Sequence, residues 1–151
     1  MTPIKHLSRF IGQNEKTHRD LDVFFDAVGY PGYRTDRTAW CAAARDWAMI
    51  QAGYRSIVQA VPHKHRLLAR SYDMYEDRVT AAGLERIGGP EVIKDGRAER
   101  GDIITYTRGG TTRNRKAQAS GHTDFFTRYD EGSCRVYGIG GNESNSVRDG
   151  S

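Results

Sequence analysis

The twenty-one residues GHTDFFTRYDEGSCRVYGIGG, positions 121–141, constrain the fold more than any other part of the chain. Two runs rich in aromatic and β-branched residues flank DEGS, a turn sequence. The whole reads as an antiparallel hairpin, because strands joined by so short a connection can only fold back on each other. A register centred on Gly132 sets His122 opposite Asn142, since the two positions are equidistant from it. Just upstream, GDIITYTRGG reads as another strand entered from a Gly-Asp turn. RGGTTRNRKAQASG follows as a basic loop carrying Arg108, Arg113, Arg115 and Lys116.

The first half of the chain has a different period. In HRDLDVFFDAVG, Leu21, Phe24, Phe25 and Val28 recur at helical spacing up to Gly29. GYPGYRTDRT is turn-rich. CAAARDWAMIQAG is dense in helix formers, with Ala44, Trp47 and Ala48 on one side and Gly53 as its stop. KHRLLARSYDMYEDRVTAAG reads as one or two further helices. Helices first and an antiparallel sheet afterwards define an α+β layout, expected here as one domain over residues 1–151.

Composition narrows the function classes. The chain has 151 residues, 37% of them apolar and 28% charged, with a mean hydropathy of −0.71. No apolar run approaches the roughly 20 residues of a membrane span. MTPIKHLSRFIGQNEKTHRD lacks the continuous apolar core of a secretion signal, so the protein is expected to be made in the cytoplasm and to need another route out. Lys plus Arg outnumber Asp plus Glu by 23 to 19, a net charge of +4. That balance favours polyanionic surroundings: nucleic acid, anionic membrane or anionic cell wall. A nucleic-acid partner is not expected, because the basic loop lacks interleaved aromatics and no helix shows a basic stripe. No His/Cys/Asp/Glu group has zinc spacing, and neither metal nor cofactor is called for.

Two cysteines remain to be explained. Cys41 follows a loop and opens a predicted helix, where unpaired N–H groups and the helix dipole favour thiolate. Free cysteine is more often a small buried hydrophobe, so position alone does not decide. A thiolate nucleophile needs a base, and that base an orienting partner. His6 and His18 lie in polar N-terminal context, and His63 and His65 flank Lys64 on a charged stretch. His122 opens a strand, and the hairpin register brings Asn142 to it: an imidazole and a carboxamide that can hold its tautomer. Cys134 lies at the turn end of the same hairpin, about 25 Å from that end at ~3.3 Å per residue. A disulfide cannot span such a gap. If His122 and Asn142 serve Cys41, Cys134 cannot pair with it, and Cys41 is read as a reagent.

AWCAAARDW, GDIITYTRGG, GHTDFF and GIGGNESNSV, in that order, resemble the NlpC- and CHAP-type branch of papain-like cysteine peptidases, in particular phage-associated single-domain cell-wall hydrolases. The resemblance runs from IGQNE to the end of the chain. It implies a papain-like α+β fold, N-terminal helices on a small antiparallel sheet, and no separate wall-binding domain. It also implies hydrolysis of an amide bond in the peptide part of peptidoglycan, with Cys41 as nucleophile, His122 as base and Asn142 as orienting residue. Two settings fit, an endolysin released through a holin or an interbacterial effector countered by an immunity protein. Either would work on the wall or in the periplasm, as a monomer. GHTDFF departs from the Gly-His-Val-Gly expected of that family and sets Asp124 two residues past His122, to add charge beside the ring or to bind substrate. Glu143 stands where Gln is common, the basic loop is long for the family, and SVRDGS falls where its members often run on into another strand.

Four residues near the nucleophile are candidates for substrate contact. Tyr33, with Tyr30, offers a hydroxyl as second oxyanion donor beside the Cys41 N–H, or else packs in the turn. Asp36 caps the helix region or shapes the pocket. Trp40 lines the cleft or packs against the sheet. Asp124 is the fourth.

Overall fold

Helix α3 (Cys41–Gln51) is the axis on which the molecule is assembled. The structure, a computed structural model, describes residues 1–107, 121–143 and 146–150, with 107, 142–143 and 146–150 described by backbone alone. The basic loop with Arg108, Arg113, Arg115 and Lys116 lies outside the described residues.

Alanines at 42, 43, 44 and 48 give α3 high helix propensity and a slender profile. It ends on Gly53 in the left-handed region (φ +95°). There Tyr54 N–H reaches back to Met49 O and Gly53 N–H to Ile50 O, a Schellman closure. The expected one-sided helix is instead buried on every side from Cys41 through Met49. Helix α1 (Pro3–Ser8) and helix α2 (Val23–Ala27) pack on it from one direction and the sheet from another. Small side chains at 41–44 and 48, between the larger Arg45, Trp47 and Met49, let α1, α2, the Arg55–Ala60 helix and the sheet all close on one helix.

The helical half is more broken than its periodicity implies. HRDLDVFFDAVG splits into a 3₁₀ turn, Arg19–Asp22, and α2. Beyond α3 come α4 (Arg55–Ala60), a 3₁₀ turn His63–His65, α5 (Ser71–Met74), α6 (Glu76–Ala81) and α7 (Pro90–Lys94). Phe24, Phe25, Trp40, Trp47, Leu7 and Leu21 form the centre of the core, with Phe24 stacked on Trp40 at 5.9 Å between ring centroids.

The sheet is antiparallel in the order β1-β2-β3-β4: Ile103–Thr107, Gly121–Asp130, Arg135–Glu143 and Ser146–Gly150. SVRDG thus contributes a strand of its own. In the β2–β3 turn, Asp130 accepts from Gly132 N–H and Ser133 Oγ, an Asx-type closure. A bulge between Phe126 and Arg128 absorbs one residue. On the site side of it Phe125 pairs with Ile139, two positions equidistant from Gly132. At Gly141 a Cβ would sit 2.7 Å from both the Ala44 Cβ and the Trp40 ring, so only glycine lets β3 approach α3 this closely.

Candidate functional site

Cys41 is the first residue of α3 and is 4% exposed. Trp40 precedes it as N-cap and makes no side-chain cap hydrogen bond, so no side chain competes for the first-turn N–H groups. Strand β2 crosses this helix end. His122, 8% exposed, and the Thr123 backbone come near enough to the Cys41 thiol to act on its proton equilibrium. Burial alone pushes the thiol upward. His122, the Thr123 backbone and the Arg45 charge outweigh it, and the thiol is held below its ordinary 9.0.

His122 is held from two further directions. Tyr106 of β1 pairs across from it and lies over it at 6.0 Å between centroids, with 20° between the planes. Asp124, two residues along β2 and on the same strand face, brings Oδ2 to 3.8 Å from His122 Nε2, an ion-pair rather than a hydrogen-bond distance. The Tyr106 hydroxyl stands 3.5 Å from Asp124 Oδ1. Asp124 is 3% exposed, and β3 makes room for it. A Cβ on Gly140 would lie 2.5 Å from the Asp124 Cβ, and one on Gly138 2.6 Å from its Oδ1. The glycines of YGIGG are thus a cradle for a carboxylate.

The other sequence candidates separate. The Asn142 side chain, like that of Glu143, lies outside the described residues; the backbone of both belongs to β3. Trp40 is fully buried and its indole N–H donates to Glu15 Oε2 at 2.6 Å, so it packs in the core. Asp36 binds Arg34 through two hydrogen bonds and Arg19 at 3.3 Å, which ties the loop before α3 together without capping that helix. Tyr33 is 44% exposed and rests against Phe25 and Tyr30. The Tyr30 hydroxyl donates to the His63 carbonyl, and its ring stacks on the His63 imidazole at 4.1 Å. Both cysteines are free, Cys41 buried and Cys134 exposed at the hairpin turn.

Tyr106, Arg45 and the glycines 138 and 140 surround the site without having been singled out from sequence. The 13-residue interval between β1 and β2 hides which β1 residue meets His122, because a loop of that length does not fix register. The alternating glycines were the available signal for a close approach in β3. No group of three His, Cys, Asp or Glu placed to hold a metal occurs among the described residues. No helix among them is long and apolar enough to cross a membrane. Comparison with models of protein families, with curated proteins and with solved structures returned no significant match.

Proposed function

We propose that this protein is a papain-like cysteine amidase or endopeptidase that cleaves an amide bond in the peptide part of peptidoglycan. The observation that carries the proposal is a buried cysteine at the start of α3 with the buried, Asp124-paired His122 acting on its thiol, which is held below its ordinary range despite burial. A structural cysteine in that much apolar surrounding would titrate higher, not lower. The wall substrate rests on the resemblance of AWCAAARDW, GHTDFF and GIGGNESNSV to NlpC- and CHAP-type hydrolases.

In the proposed reaction His122 takes the Cys41 proton, and the thiolate attacks the amide carbonyl carbon. The oxyanion is stabilised by the Cys41 backbone N–H. As the C–N bond breaks, the His122 imidazolium returns its proton to the leaving amine, and a thioester remains on Cys41. Water, deprotonated by His122, then releases the acid and regenerates the thiol. Asp124 stabilises the imidazolium through charge, and Tyr106 keeps the ring plane fixed against β1. Asp124 thus takes the orienting part among the described side chains, and Asn142 remains the candidate to share it.

The test is digestion of purified sacculi, with mass spectrometry of the released fragments. Wild type is expected to release fragments carrying a new carboxyl and a new amine, and Cys41→Ala none. Equal release by Cys41→Ala would end the proposal. Delivery, by holin-dependent release or by a secretion machine with an immunity partner, is separable by whether lysis genes or an immunity gene adjoin the coding sequence.

A further inference from the structure

Four residues after Cys41, on the same face of α3, lies a buried cation that the proposed reaction does not use. Arg45 is 1% exposed. Side chains on a helix lean toward its N-terminus, so Arg45 lies over the turn that carries the thiol. Its guanidinium is fixed on every side. Nε donates to Asp46 Oδ1 at 2.9 Å, Nη2 to Ser71 Oγ at 2.9 Å, and Nη1 to the Ala69 carbonyl at 3.1 Å and to Thr123 Oγ1 at 3.5 Å. Cζ stands 3.7 Å above the Tyr72 ring. The Tyr72 hydroxyl donates to the same Asp46 oxygen at 2.6 Å, and Thr123 Oγ1 donates to the Ile104 carbonyl at 2.9 Å.

This is more than a core repair. A lone buried ion pair gains little for stability, and an apolar pair of equal volume often serves as well. Here the cation joins three elements that must keep register if the thiol is to work: α3, the Ala69–Tyr72 segment and β2. The β2 contact is Thr123, the residue that follows His122 and whose backbone is among the groups that lower the Cys41 thiol. Asp46 Oδ2 has no hydrogen-bond partner among the described residues, where the carboxylate binds Arg45 and Tyr72 through one oxygen.

We propose that Arg45 is a positioning residue of the candidate site: one turn after Cys41 on the same face of α3, it holds β2 against the start of that helix through Thr123 and sets a fixed buried cation over the turn that carries the thiol. The inference rests on Cys41 being the activated thiol. The charged and titratable groups facing the pair are Asp46 on α3, Tyr72 on α5, and His122 and Asp124 on β2. Arg45 is among the influences that hold the thiol down, after burial, which raises it, and after His122 and Thr123.

The experiment follows Cys41 alkylation by iodoacetamide across pH in full-length protein carrying Cys134→Ser, so that one thiol reports. Arg45→Met, which keeps length and removes charge, is expected to move the alkylation midpoint up by about half to one pH unit. That shift lowers the neutral-pH rate roughly three- to tenfold. Arg45→Lys should restore most of it. Asp46→Asn should move the midpoint the other way, because it leaves the Arg45 charge unneutralised and places its amide nitrogen where Oδ2 has no partner. Opposite shifts in two variants of one buried pair are what a merely structural role does not produce. An unchanged midpoint in folded Arg45→Met would overturn the proposal. If Arg45→Met does not fold, Asp46→Asn decides alone: a midpoint unmoved or raised overturns it. A Cys41 in the otherwise wild-type protein that titrates no lower than an ordinary thiol would instead defeat the activated-nucleophile assignment on which this rests.

Discussion

At the scale of single residues, the candidate site is a contest between burial and charge at one sulfur atom. Cys41 is almost wholly enclosed, which favours the neutral thiol, yet His122, Thr123 and Arg45 together favour the anion. The sign of the pH dependence follows. A thiol whose folded-state value lies below its unfolded one contributes stability that is present above the unfolded value and is lost as pH falls through the folded one. Wild type should therefore gain stability relative to Cys41→Ala as pH rises toward 9.0, measured by denaturant unfolding at several pH values. A gap that narrows with rising pH would mean the thiol is raised instead. The base and its partners can be ranked the same way. His122→Ala should fall to the Cys41→Ala background. In serine proteases, losing the orienting carboxylate costs about four orders of magnitude. Asp124→Ala, at ion-pair distance from the ring, is expected to lose about two to four orders. Asn142→Ala should lose less, because an amide stabilises imidazolium only as a dipole. A larger loss for Asn142→Ala than for Asp124→Ala in the sacculus assay would hand the orienting role back to Asn142.

At the scale of elements, two neighbouring glycines of β3 face opposite sides, one the core and one the candidate site. Gly141 faces α3, where a methyl group would meet the Ala44 Cβ and the Trp40 ring at 2.7 Å. Both are enclosed in the core and cannot yield cheaply, so Gly141→Ala should cost about 1–3 kcal/mol. For a chain of this size that lowers the melting temperature by about 2–4 °C per kcal/mol. Gly140 faces the other way, and its added methyl would collide with the Asp124 Cβ at 2.5 Å. Gly140→Ala should therefore destabilise the fold at least as much as Gly141→Ala and, unlike it, also lower turnover in the protein that remains folded, by displacing the carboxylate from His122. Full turnover in a folded Gly140→Ala protein would show that the position of Asp124 does not matter. The hairpin that frames this contrast was legible, since aromatic and β-branched runs around DEGS leave few alternatives. So was α3, because alanines and a terminal glycine mark a helix in the sequence whatever it packs against. Its burial was not: an alanine-rich helix shows little amphipathic contrast, so the pattern of Ala44, Trp47 and Ala48 suggested one packed face where there are several. The helices α1, α4 and α7, of five or six residues each, escaped for a related reason. Segments that short depend on packing rather than propensity, and periodicity needs more turns to register. The carboxylate next to the base was visible as Asp124 in GHTDFF. What hid its place was side-chain reach, set by the two glycines opposite, which no spacing rule conveys.

At the scale of the whole molecule, the net charge of +4 and the buried Cys41–His122 pair should respond to salt in different ways. Attraction between a basic surface and an anionic wall is long-range. Screening shortens it, with a Debye length of about 10 Å at 0.1 M salt and about 3 Å at 1 M. The interaction between two buried groups is screened far less. Binding of the Cys41→Ala protein to sacculi should therefore fall steeply as salt rises from 0.1 to 1 M. Turnover of a small soluble wall peptide by wild type should change little over the same range, because its encounter with the site does not depend on holding a polyanion. Two parallel measurements check this, pull-down on sacculi and fragment release from the soluble peptide. Matching losses in both would mean that charge contacts the peptide itself in the site, and that the basic balance belongs to recognition of the scissile bond and not to association with the wall.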